Sequence, residues 1–144
     1  MIRILTDSTS DISPARAAEL GVEILPLTVL FGEESFQDGV EITNEAFYAR
    51  LEKADALPTT AQIPPETFIQ TFERLTKSGD QVLAILISSA MSGTYQSAMI
   101  ARGIVDESKI AVVDARTVTF GMGLLVEAAC QLRDQELSLA ELRA

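Results

Sequence analysis

The sequence predicts an α/β fold: a three-layer α/β/α architecture around a mostly parallel sheet. Two observations carry this. Short apolar runs of strand length alternate along the chain with segments whose apolar residues recur at helical spacing, the pattern of strand–helix–strand units. The run Val82 to Ile87 (VLAILI) is apolar at every position, as expected of a strand covered on both faces.

The elements follow in order. Ile2 to Leu5 is a short apolar run ending in the hydroxyl-rich Thr6-Asp7-Ser8-Thr9-Ser10. Ser13-Pro14 reads as an N-cap followed by proline at the first helical position, and Gly21 suits the left-handed C-cap of that short helix. Glu23 to Phe31 is largely apolar and β-branched, with Pro26 pushing it toward a sheet edge. Gly32 to Gly39 reads as a turn or hairpin. Thr43 can cap a helix carrying Phe47 and Leu51 one turn apart. Leu57 to Pro65 holds three prolines and is expected to be a loop. Phe68, Phe72 and Leu75 mark a core-facing helix closed by Gly79-Asp80. After the 82–87 strand, Ser88 to Thr94 leads into a helix over 95–103. Ile110 to Val113 is a further buried strand, 114–123 a polar, glycine-containing connection, and a helix then runs to about Arg133. Ser138 and Glu141 have capping-box spacing and announce another helix. A helix that short is marginal by itself, so residues 1–135 are expected to form one domain and 136–144 to start a linker or helix toward a further domain outside this chain.

Composition excludes several function classes. The 144 residues carry 11 basic and 21 acidic side chains, a net charge of −10, which disfavours a footprint on nucleic acid or an anionic membrane. The acidic excess concentrates between Glu33 and Asp55 and reads as a solvated face. There is no histidine, so Ser-His-Asp and Cys-His catalysis are excluded within the chain. The single Cys130 sits among small apolar residues and reads as a core thiol. No apolar run approaches the roughly 20 residues that span a bilayer. Met1 to Leu5 lacks a signal-peptide pattern, and the expectation is a soluble cytoplasmic protein.

The chemistry is expected at the carboxyl ends of the strands. Three loops there, Thr6 to Ser10, Ser88 to Thr94 and Asp114 to Thr119, are crowded with hydroxyls, and Thr59-Thr60 adds more. Hydroxyls together with the exposed amides of a helix N-terminus favour an anion without cationic side chains. Gly93 would let the backbone approach such a ligand closely. No P-loop or GxGxxG pattern is present and Arg116 is the only cation in these loops, so a singly charged carboxylate fits better than a polyphosphate. Ile63, Met91, Phe120 and Met122, near these loops in sequence, are candidates to line an apolar tunnel. Ser92 lacks the GxSxG context of a hydrolase nucleophile. Asp7, Asp38 and Asp114 could serve a magnesium-dependent phosphotransferase acting alone. A non-catalytic interaction module docking a basic partner on 33–55 is the other alternative.

The segments TDSTSDI (6–12), FQDGVEIT (36–43), FYARL (47–51), PTTAQ (58–62), ISSAMSGTYQSA (87–98) and VVDARTVTFGMG (112–123) resemble the DegV family along the whole chain, in order. ISS-x-x-SGTYQSA is the most specific of them. The resemblance implies a two-domain bacterial protein about twice this length, with a long-chain fatty acid between an N-terminal α/β domain and a second domain. It implies a lipid-binding subunit rather than an enzyme: the acyl carboxylate is presented to a separate ATP-binding fatty-acid kinase subunit, and no cofactor or metal is needed in this chain. It also implies the ligand residues. Thr60 and Ser92 would hold the carboxylate, with Gly93 and Thr94 following at the helix start. Two departures stand out: Ala61 and Ala115 occupy positions where the family commonly has serine, and each removes a hydroxyl near the expected site. The family's second half supplies basic residues, including a histidine.

Overall fold

A computed structural model describes residues 1–144. Its main sheet has four parallel strands in the order β2-β1-β6-β7: β1 (Ile2–Asp7), β2 (Val22–Leu25), β6 (Gln81–Leu86) and β7 (Ile110–Asp114). Alternation along the central strands divides the core into two layers. Ile4, Leu83, Ile85 and Ala111 face one side, with Ala17 of helix α1 (Pro14–Leu20), Met122, Val126 and Ala129 of α5 (Phe120–Arg133), and Leu139 of α6 (Leu139–Arg143). Leu5, Val82, Ala84, Leu86 and Val112 face the other, against Phe68 and Phe72 of α3 (Pro65–Thr76) and Ala98 and Ala101 of α4 (Thr94–Val105). Successive strand residues project to opposite faces, so a strand apolar at every position feeds both layers.

Between β2 and α3 the chain builds a separate lobe. Here β3 (Thr28–Phe31) pairs antiparallel with β4 (Glu34–Gln37) on one edge and β5 (Thr59–Ala61) on the other. Helix α2 (Asn44–Leu51) covers it, with Phe47 packed on Val29, Phe31 and Ile42. Pro26 separates β2 from β3, and β2 is the edge strand of the main sheet. The lobe differs from expectation at Leu57 to Pro65, which contains β5 rather than a continuous loop. Its prolines, at 58, 64 and 65, flank Thr59–Ala61 and leave those amides free to pair with β3.

The expected caps are in place. Ser13 accepts from the Arg16 amide at 3.2 Å, Thr43 from the Ala46 amide at 3.2 Å, and Gly21 has φ 64°. The Ser138–Glu141 box is complete, with the Ser138 amide donating to Glu141 Oε2 at 2.8 Å, and Leu139 packs into the core. Helix α5 begins earlier than the sequence suggests, at Phe120, so Gly121 and Gly123 lie in its first turn. A Cβ added at Gly123 would sit 2.8 Å from the Ser10 carbonyl oxygen, and this close approach of backbone to backbone is what the glycine permits. No helix is long and apolar enough to cross a membrane.

Phe72 is fully buried, whereas Leu57 is 85% exposed. Phe72→Ala is expected to lower unfolding free energy by about 3–5 kcal/mol, and Leu57→Ala to change it by no more than about 0.5 kcal/mol. Urea denaturation followed by circular dichroism checks both.

Candidate functional site

The three strand-end loops are tied together by hydrogen bonds centred on a buried carboxylate. Asp7 closes β1 with no solvent exposure. Its Oδ1 accepts from the Thr9 amide at 2.9 Å and the Thr9 hydroxyl at 2.5 Å, and its Oδ2 accepts from the Ile87 amide at 2.8 Å. The Thr9 carbonyl accepts from the Thr119 amide at 2.8 Å, and the Thr117 carbonyl from the Ser88 amide at 3.1 Å. Asp114 completes the set, accepting from the Ser89 hydroxyl at 2.5 Å and the Ser89 and Arg116 amides at 3.1 and 2.9 Å. Burial pushes the Asp7 carboxyl above its ordinary value of 3.8, outweighing the hydrogen bonds from Thr9 and Ile87. At Asp114 burial acts in the same direction, but the bonds from Ser89 and Arg116 prevail and its pKa lies below 3.8.

These roles bear on magnesium chemistry. Asp7 and Asp114 spend their oxygens on loop amides and hydroxyls, and Asp38, bridged to Ile42, stands near Asp7 and Asp11 as a like charge that adds to the upward push of burial on both carboxyls. No group of three or more His, Cys, Asp or Glu side chains is placed to hold a metal ion.

The segments that carry Thr60 and Ser92 are joined by a hydrogen bond. The Ile63 amide, just beyond β5, donates to Thr94 Oγ1 at 3.3 Å. Thr94 Oγ1 lies 3.0 Å from Ser92 Oγ, which also accepts from the Thr94 amide at 3.2 Å. Thr94 is completely buried and braces Ser92, while Ser92 is half-buried and Thr60 exposed. Thr60 stands opposite Val29 in the β3–β5 register. Gly93 sits between, at the N-terminus of α4, where a Cβ would collide with the Gln62 side chain and lie 2.7 Å from its Cδ. The arrangement is a half-open ledge of hydroxyls beside the positive end of a 12-residue helix. Two grooves elsewhere, roughly 660 and 790 Å3, are lined by none of Thr60, Ser92, Gly93 or Thr94.

Several neighbouring residues fall differently from the sequence expectation. Ile63 and Met122 belong to the two cores rather than to a tunnel wall, whereas Met91 and Phe120 are 63% and 73% exposed. Ala115 is buried in the α5-side core, so a hydroxyl missing there is missing from packing. Ala61 is one residue from Thr60 and faces the other side of β5. Cys130 is a buried thiol whose pKa burial raises. Sequence reading overlooked Gln62 and the bracing role of Asp7. Spacing alone could have flagged Gln62, two residues after Thr60 and therefore on the same side of an extended chain.

Fold and site together define a class: an α/β domain with a parallel sheet that gathers hydroxyl-bearing loops at its strand ends. The chain matches over residues 1–144 the family model described as "Uncharacterised protein, DegV family". It belongs to the DegV family. A DegV domain-containing protein of Clostridium perfringens is 43% identical over 141 residues, covering 98% of this chain and 50% of that one. The solved structure of a stearic acid-binding protein from Eubacterium ventriosum superposes with a TM-score of 0.92 at 30% identity, covering 99% of this chain and 50% of that one. The fatty acid-binding DegV of Bacillus subtilis does so with a TM-score of 0.89 at 31% identity, covering 98% and 50%. The chain thus spans about half the length of the relatives it matches.

Asp7→Asn leaves one acceptor oxygen where two now serve Thr9 and Ile87, and is expected to destabilise the fold by about 1–3 kcal/mol. Because the folded state holds the Asp7 proton more tightly than the unfolded chain does, the wild type's advantage is greatest below pH 3.8 and shrinks as pH rises through the raised folded value. Urea midpoints of both proteins across pH 3–8 check the magnitude and the sign.

Proposed function

We propose that this chain is the head-group-binding part of a fatty-acid-binding protein, and that it presents the acyl carboxylate to a separate ATP-dependent kinase subunit in the cytoplasm. Thr60 and Ser92 donate their hydroxyls to the carboxylate, Thr94 braces Ser92, and Gly93 keeps the start of α4 open to the ligand. The observation that carries this reading is the Ile63–Thr94 hydrogen bond, which draws the Thr60 strand and the Ser92 loop into one ledge at a helix N-terminus. The stearic acid bound by the Eubacterium ventriosum relative supports the choice of ligand.

A carboxylate only accepts hydrogen bonds, so hydroxyls, amides and a helix's positive end suit it. The head group orients the ligand and the tail supplies most of the affinity, since each buried CH2 contributes about 0.8 kcal/mol. A kinase must reach the carboxylate oxygen with the γ-phosphorus of ATP, and an exposed Thr60 beside a half-buried Ser92 leaves that approach open. On this reading residues 1–135 are the head-group domain and 136–144 lead toward a second domain that completes the enclosure of the tail.

Native mass spectrometry of protein purified without detergent is expected to find a bound long-chain fatty acid; ligand-free protein that also takes up none on addition would dismiss the proposal. Ser92→Ala and Thr60→Ala are each expected to weaken palmitate binding roughly 10- to 100-fold, the equivalent of about 1.5–3 kcal/mol for a hydrogen bond to a charged group. Fluorescence displacement titrations measure this.

A further inference from the structure

We infer that Gln62 is a third head-group residue, a neutral clamp that rests above Gly93 and swings over the carboxylate. The inference rests on the fatty-acid reading of the Thr60–Ser92 ledge and names a residue that reading does not use.

Gln62 is anchored at its backbone and loose at its tip. The next residue, Ile63, donates its amide to Thr94 Oγ1, so the Gln62 main chain is held against the start of α4. Its side chain makes one long contact, Nε2 to Ser97 Oγ at 3.5 Å, at the outer limit of a hydrogen bond, and the residue is exposed. The carboxamide occupies the space that a side chain at residue 93 would fill: a Cβ there would overlap Oε1 and sit 3.0 Å from Nε2. Thr60 and Gln62 are two residues apart along an extended segment, which returns them to the same side.

The demand for such a donor comes from the ligand. An ionised carboxylate offers about four lone-pair sites. The hydroxyls of Thr60 and Ser92 fill two. Thr94 is engaged with Ser92 and Ile63. An amide NH2 above Gly93 fills another without introducing a fixed charge, and rotation about its last, soft torsion redirects it from Ser97 to the ligand.

The test uses the protein at the full length of its relatives, with residues 1–144 as its first half, and two probes of equal tail length, palmitate and 1-hexadecanol. Gln62→Ala is expected to weaken palmitate binding roughly tenfold while leaving hexadecanol affinity within about twofold, and Gln62→Glu to weaken palmitate further. Gly93→Ala, which displaces the amide, is expected to match Gln62→Ala for palmitate, and the double variant to lose no more than either. Equal losses for palmitate and hexadecanol would show a structural role and overturn the inference. So would Gln62 variants that bind palmitate as the wild type does while Ser92→Ala does not; that result leaves the fatty-acid reading standing. A full-length wild-type protein that binds neither probe overturns both.

Discussion

The buried Asp7 carboxylate is the constraint on which the rest of this structure depends. A carboxylate without solvent is costly unless its oxygens are occupied by donors. Asp7 meets that condition with donors from two different segments, Thr9 and Ile87. The end of β1 is thereby locked to the end of β6, and Thr6, buried beside it, adds a bond from its hydroxyl to the Ile85 carbonyl at 2.9 Å. From Thr9 the connection continues to Thr119 at the start of α5. The loops that carry hydroxyls are therefore one cross-tied unit, and the side chains on them lose less freedom on meeting a ligand than those on independent loops would.

Backbone strain is concentrated at the same end of the sheet. Arg116 and Thr119 both have positive φ, 52° and 59°, and Thr119 is β-branched, a residue type for which this conformation is unfavourable. Each is held by a bond from its amide, Arg116 to Asp114 and Thr119 to Thr9. The chain thus turns sharply enough to bring Gly123 against Ser10, closing α5 onto the β1 loop. The opposite end of the sheet shows no comparable network; there Asp80 pairs with Arg3 and the N-terminal amine at the surface.

The fold was legible in the sequence because its signals are local. The run 82–87 had to feed two layers, Ser13, Thr43 and Ser138 had to cap, and Phe68 and Phe72 had to face inward. Strand β5 was not legible: three residues between prolines carry no periodicity, and only the free edge of β3 makes them a strand. The hydroxyl loops were legible as a set, because the parallel-sheet topology alone places them at one edge. Their internal division was not. Thr94 and Ser92 look equivalent in sequence, yet burial makes one a brace and leaves the other accessible. Ile63 and Met122 look like tunnel residues from their neighbours, but each lies on the inward side of its segment, and only packing reveals that. Gln62 closes the PTTAQ segment and shares a side with Thr60 by spacing, but its position over a missing Cβ exists only in three dimensions.

The proposed binding of an anion by an acidic chain is less paradoxical than its net charge of −10 suggests. Screening confines charge effects to about 8 Å at physiological ionic strength, and part of the acidic lobe is internally paired, as Glu34 is with Arg50. What a head group would meet on the proposed reading is local: hydroxyl dipoles, the amides of α4 and its positive end. Hydrogen bonds to a charged group contribute about 1.5–3 kcal/mol each, more than a screened surface charge removes. On that reading this half contributes only neutral donors, and any cationic group at the head group comes from the basic residues that the resemblance assigns to the family's second half.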